Sequence, residues 1–308
     1  MRQIGYHILY ALFYTLSLLP YRVMYLLSDF LYPIVYYMVR YRRKIVRHNL
    51  TGAFPEKSLP EIITIEKGFY HWFLDYFFET IKLLSISSDN LLKHIEFLHA
   101  EEVEQCFDEG QPCAAFLGHY ANWEYLSATS LAMQRHPEAV MGLIYHPLRN
   151  KAFDRLFLTL RQTHGGTGIP KKDILRHLLR YKQEGRMSLF GYIADQGPKW
   201  ENIHLWLDFL HHDTPVFTGA ERIIRKMNNA VFYVDMKRLR RGQYVCTFRL
   251  LTREPDKCEE HALTRRFFTL LEESIRRDPT CYLWSHDRWK RTHEEYDRRV
   301  REGLLKSH

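Results

Sequence analysis

From about residue 112 onward the chain alternates short apolar runs with segments of helical periodicity, and this alternation limits its fold more than any other feature. The runs are CAAFLG (113–118), AVMGLIY (139–145), MSLFGYIA (187–194), AVFYVDM (230–236) and YVCTFRLL (244–251). Each has the length and composition of a buried or half-buried strand. Helical candidates lie among them at 122–134, 150–164, 171–184, 218–227 and 261–277. Strand and helix in alternation predict an α/β fold, a central sheet with helices on its faces. No internal repeat or low-complexity linker interrupts the pattern, so residues 41–308 are expected to form one domain, with residues 1–40 as an appendage.

That appendage has a different character. Gln3 to Tyr21 contains no Lys, Arg, Asp or Glu, and a second apolar stretch, Val23 to Val39, is broken by Asp29 and Pro33. The first approaches the roughly 20 residues that a membrane-spanning helix needs, and it lacks the small-residue cleavage site of a signal peptide. Arg40, Arg42, Arg43, Lys44 and Arg47 follow at once. Basic residues beside an apolar segment stay on the cytoplasmic side and attract anionic headgroups. The reading is a membrane-associated helical segment; a pair of buried core helices is the alternative. Beyond residue 50 no stretch is apolar enough to span, and the mean hydropathy of −0.37 excludes a polytopic protein. A further helix is expected over 59–84, where Ile62, Ile65, Phe69, Trp72, Phe73, Tyr76 and Phe77 recur at three- and four-residue spacing.

A net charge of +8 favours anionic partners without choosing among nucleic acid, acidic lipid and acidic protein. No nucleic-acid-binding motif accompanies it, so nucleic acid is set aside. The five cysteines are scattered without C-x-x-C, which argues against a disulfide framework or zinc knuckle and for inert thiols in a reducing compartment. HHD (211–213) has metal-ligand chemistry but no supporting ligands at suitable spacing, so an exposed turn is expected. KRLRRG (237–242) reads as a basic hairpin tip, THGGTG (163–168) as a plain loop, and residues 288–301 as a solvated helix of mixed charge.

The chemistry-bearing stretch is FLGHYANWEYL (116–126). In α/β sheets, sites gather where strands give way to loops at their carboxyl ends. His119 falls there, Gly118 offers a sharp turn, and Asn122 is placed to cap a helix that carries Glu124 in its first turn. A loop histidine and a carboxylate one helical turn on can face each other. The carboxylate would then set the imidazole tautomer and leave the other ring nitrogen free to take a proton. A structurally satisfied histidine remains the other reading of this pair alone.

GHYANWE (118–124) resembles the G-H-[FY]-x-N-W-E block of the bacterial lipid A late acyltransferases, within the lysophospholipid acyltransferase superfamily. RRKIVRHNLTGAFPEKS (42–58), IYHPLRNKAFDRLFLTLRQTHGG (144–166), ADQGP (194–198) and YLWSHDRWK (282–290) are similar to further blocks of that family, in the same order. The resemblance implies a mixed central sheet flanked by helices, as in glycerolphosphate acyltransferases. It implies transfer of a fatty acyl chain from acyl carrier protein to a hydroxyl of a lipid A precursor, at the cytoplasmic face of the bacterial inner membrane. It makes His119 the general base and Glu124 its orienting carboxylate in a His-x4-Glu motif. It places Asn122, Trp123, Arg149, Asp195, Gln196 and Arg288 around the substrate. No cofactor is implied, because a thioester is already activated. An acidic carrier protein calls for a basic docking face, for which Arg222, Arg225, Lys226, Arg288, Lys290 and Arg291 are candidates.

Two positions depart from the pattern. His146 stands where the family has Arg, with Arg149 the candidate substitute, and Asp287 replaces one of two C-terminal arginines. These departures leave open an O-acyltransferase for another membrane lipid. A non-catalytic membrane-surface binder is disfavoured by the retained His119–Glu124 spacing.

Overall fold

The computed structural model describes residues 2–305. Helix α1 (Arg2–Ser17) is parted at Pro20 from α2 (Tyr21–Pro33), which runs on into a π-helical turn, Ile34–Val39. Then come α3 (Arg43–Ala53), α4 (Leu59–Lys82), the one-turn α5 (Ser88–Leu91), β1 (Ile95–Leu98) and α6 (Ala100–Asp108). The body continues with β2 (Cys113–Leu117), a 3-10 helix (Trp123–Ala132), β3 (Val140–Tyr145), α7 (Lys151–Gln162), β4 (Thr167–Pro170), α8 (Ile174–Gln183) and β5 (Ser188–Ile193). A ribbon of β6 (Trp206–Phe209) and β7 (His212–Pro215) leads to α9 (Gly219–Met227), the β8 (Ala230–Arg240) and β9 (Gln243–Thr252) hairpin, α10 (Ala262–Arg277) and α11 (His293–Arg301).

Among the described residues, seven strands form one sheet in the order β1-β9-β8-β2-β5-β3-β4. Only the β8–β9 pair is antiparallel, so the sheet is mixed, as expected. β2 is buried along its whole length, which is why its sequence is a continuous apolar run rather than an alternation. All five expected strands are present. The four that the pattern did not announce, β1, β4, β6 and β7, are four residues each, too short to display a period. THGGTG is not wholly a loop: Gly165 turns at φ 89°, and Thr167 opens β4.

α4 forms where the pattern places it and starts on a capping box, Ser58 with Glu61. Beside it, α2 is fastened by polar contacts. Ser28 donates to Asp75 (2.7 Å), Tyr25 donates to Glu79 (2.9 Å), and Arg241 bridges Asp29 and Asp75. α1 lies on α7, with Phe13 edge-on to Phe153 and Arg155 over the Tyr6 ring. Among the described residues no helix is long and apolar enough to cross a membrane. The KRLRRG segment is the tip of the β8–β9 hairpin, where Arg238 pairs with Asp278 while Arg241 holds the N-terminal helices. The HHD segment leads into β7, where His212 stacks on Trp289. Among the described residues no group of three or more His, Cys, Asp or Glu is placed to hold a metal ion.

Candidate active site

Parallel pairing of β2 with β5 sets Leu117 beside Ile193. Two residues further along each chain stand His119 and Asp195, so the register itself delivers both to the carboxyl edge of the sheet. Gly118 serves close approach rather than turning, because a Cβ there would meet Leu271 of α10 at 2.6 Å. The left-handed turn is taken by Ala121 instead, at φ 51°. The C-terminal block braces this loop through its backbone: Leu283 N–H donates to the His119 carbonyl (3.2 Å), and Ala121 N–H to the Cys281 carbonyl (2.8 Å).

His119 Nδ1 lies 2.7 Å from Asp195 Oδ1, while the Gln196 side-chain nitrogen is 3.3 Å from Nε2. The Trp123 ring stands edge-on to the imidazole, 5.1 Å between centroids. Asp195 is buried; burial pushes its carboxyl up, but the His119 imidazole and its hydrogen bond outweigh that and hold it below the usual range. Behind it, Arg288 is buried and donates to the Pro215 carbonyl (2.9 Å). The neighbouring His286 is driven down by burial to about 4, so it is neutral at physiological pH.

The partner of the imidazole therefore differs from the one predicted by spacing. Glu124 is engaged by Arg161 of α7 in a two-pronged pair (2.8 and 2.6 Å) and touches His119 only through its charge. Burial pushes its carboxyl up, and Arg161 more than reverses this. The cause is the conformation of the loop: the Ala121 turn and the 3-10 winding direct Glu124 towards α7, and the tighter pitch alters which residues share a face. Asn122 does not cap that helix. Its side chain donates to Glu79 of α4 (2.7 Å) and is wholly buried.

His119, Trp123, Glu124 and Gln196 line a cavity of about 730 Å³, within the roughly 300–1,000 Å³ range of small-molecule sites. Its walls are mainly apolar, with Leu117, Met141, Leu143 and Leu189 among them, and Lys171 and Arg222 also line it. His146 lines the cavity and Arg149 does not; Arg149 is exposed on the loop before α7. Asn122 and Arg288 also lie outside the lining and stand behind it.

Sequence reasoning passed over Arg161. Its signal was present: Asp154, Phe157, Leu158 and Arg161 follow i, i+3, i+4, i+7 spacing and share the cavity face of α7. An arginine sharing a helix face with Phe157 and Leu158 asks for a buried counter-charge. A histidine bonded at Nδ1 to an ionised buried carboxylate, with Nε2 directed to an apolar cavity, can take a proton from a hydroxyl bound there.

The family model described as bacterial lipid A biosynthesis acyltransferase matches residues 1–291 of the chain. No curated protein matches it.

Proposed function

The chain belongs to the bacterial lipid A biosynthesis acyltransferases, and we propose that it uses His119 as general base to move a fatty acyl chain from acyl carrier protein to a hydroxyl of a lipid A precursor. The observation carrying this reading is the placement of His119: a base with one nitrogen held by Asp195 on the wall of an apolar cavity large enough for an acyl chain. In this reading Nδ1–H donates to the Asp195 carboxylate, which leaves the lone pair on Nε2. The acceptor hydroxyl takes the place of the Gln196 amide at Nε2 and delivers its proton there as its oxygen attacks the thioester carbonyl carbon. Collapse of the tetrahedral adduct breaks the carbon–sulfur bond, and the departing thiolate recovers the proton from Nε2. Asp195 orients the ring. Glu124, kept ionised by Arg161, adds a nearby negative charge that favours the imidazolium.

Attachment to the cytoplasmic face of the inner membrane belongs to the same proposal. It is supported by an outward apolar face on α1, α2 and the π-helical turn: Ile8, Leu12, Leu26, Phe30, Met38 and Val39 are all exposed. Arg22 of α2, Arg40 just after the π-helical turn and Lys44 of α3 are exposed as well, as anionic headgroups require. Leu148 lines the cavity yet is exposed, and Phe153 of the following helix touches α1. The test is reconstitution of the full chain in anionic vesicles containing a lipid A precursor, with acyl carrier protein thioesters supplied. Mass spectrometry should show the precursor heavier by one acyl group. Transfer from coenzyme A thioesters alone would rule out the carrier protein as donor, and hydrolysis without transfer would rule out the acceptor.

A further inference from the structure

We propose that Glu79 is a positioning residue for acyl transfer, fixing through Asn122 the turn that carries His119 and Glu124 and tying that turn through Tyr25 to helix α2. The inference rests on His119 being the base, as proposed above. Ala121, between His119 and Glu124, holds a left-handed backbone that an L-residue keeps only when its surroundings impose it. The C-terminal block restrains the turn through the backbone bonds at His119 and Ala121; the next residue, Asn122, adds a side-chain restraint. Its amide nitrogen donates to Glu79 Oε2 at 2.7 Å, and its Oδ1 has no partner among the described residues, so Glu79 alone orients this side chain.

Glu79 is fully buried in the last turn of α4, and among the described residues no cation pairs with it. Its oxygens are met by three donors from three separate elements. Asn122 comes from the turn, Tyr244 from β9 (2.8 Å, to Oε2) and Tyr25 from α2 (2.9 Å, to Oε1). A buried carboxylate without a counter-charge is costly, and a carboxylate accepts only, so each donor is drawn to one point. Burial pushes the carboxyl up, while the hydrogen bonds from Tyr244, Tyr25 and Asn122 pull it back down. The turn thereby takes its position from the sheet and from α2. Leu26, one residue beyond Tyr25, points out to the apolar face. A purely space-filling role would not need three convergent donors.

The test is a reversal of the hydrogen bond in the full chain. Asn122→Asp sets two carboxyl groups face to face, which must repel or share a proton, and kcat should fall about 100-fold with KM within about threefold, since the fixed amide donor is gone and the loss is of alignment. Glu79→Gln in the same chain lets its amide donate where it formerly accepted, and at least about tenfold of the lost kcat should return, as coupled neighbours are non-additive. The His119 imidazole resonance, assigned by its loss in His119→Ala and read without substrate, should move in Asn122→Asp and move back in the double variant. Should Asn122→Asp not fold, Asn122→Ala and Glu79→Ala replace it in a cycle, the double variant being no slower than the worse single one. Tyr25→Phe should lower kcat about two- to fivefold at unchanged KM, the scale of one buried hydrogen bond. Additive losses and an unmoved His119 resonance overturn the proposal, and an unchanged Tyr25→Phe enzyme overturns its α2 arm. If the wild type transfers no acyl group, the acyl-transfer reading fails while the resonance still decides on Glu79.

Discussion

The sheet body and the N-terminal helices differ in how many polar groups they bury and in how much apolar surface they leave outside. Around the sheet, β2 and its neighbours bury apolar side chains and leave polar ones outside. Between α2, α3 and α4 the buried layer mixes polar and apolar groups: Ser28, Glu66, Asp75 and Glu79 lie among Met24, Val46, Leu50, Phe78 and Ile81, with Ser28 donating to Asp75 and the carboxylates met mainly by tyrosines and arginines. The outside is apolar, with Leu26 68%, Phe30 67% and Met38 76% exposed. An exposed apolar surface of this kind marks a binding face. The contrast teaches that one chain here is built for two surroundings, water around the sheet and, in the proposed reading, lipid beneath α1 and α2. It also corrects a simple count of charges. Arg43 and Arg47 of the basic cluster are engaged by buried Glu66, and Arg42 by the Ser285 carbonyl, so only part of that cluster is free for headgroups.

If the two regions are separable, variants in one should leave the other's property intact. The largest expected effect is that of His119→Ala, which should lower kcat by about 10²–10⁴, the usual range for a positioned base. Its partition onto anionic vesicles should equal that of the wild type; a parallel loss of partition would break the comparison. Next comes Glu124→Gln, which leaves the Arg161 guanidinium buried beside a neutral amide. Losing one partner of a buried pair costs about 3 kcal/mol or more, to be read from thermal unfolding in detergent. The sign with pH follows from a carboxyl lower in the folded chain than its ordinary value of 4.5. Its stabilisation is complete above about pH 4.5 and is lost as pH falls through the lowered value, so wild type and variant should converge in acid.

A third variant attacks the outer face. Leu26→Glu with Phe30→Glu removes two large apolar groups, each worth about 1.5–3 kcal/mol when withdrawn from water. Vesicle partition should fall by at least about tenfold while unfolding temperature holds, because neither side chain is in the core. Unchanged partition would place the membrane contact elsewhere. The smallest effect is that of reversing Arg222, Arg225 and Lys226, which should raise KM for the carrier-protein thioester several-fold. The wild type should show the same rise in salt, as the Debye length shortens from about 10 Å at 0.1 M to about 3 Å at 1 M. Equal response of a coenzyme A thioester would assign that basic surface to the membrane instead.

Much of this protein was readable before its structure. Local periodicity located the five long strands and six of the helices, because hydrophobic alternation and helical spacing act over a few residues. The end of β2 and the histidine beyond it were readable for the same reason. Among the described residues no helix is long and apolar enough to span a membrane: Pro20 parts the first helix from the second, and Asp29 and Asp75 draw the second onto α4 through Arg241. What faces His119 was decided only in three dimensions. Asp195 arrives from 76 residues away through the Leu117–Ile193 register, Arg161 takes Glu124, and Glu79 takes the amide expected to cap a helix. Spacing along the chain ranks which residues are able to meet. A hydrogen bond or buried ion pair is settled by approach to within about 3 Å in a dry interior, and that distance exists only once the sheet, α4 and α7 have packed together.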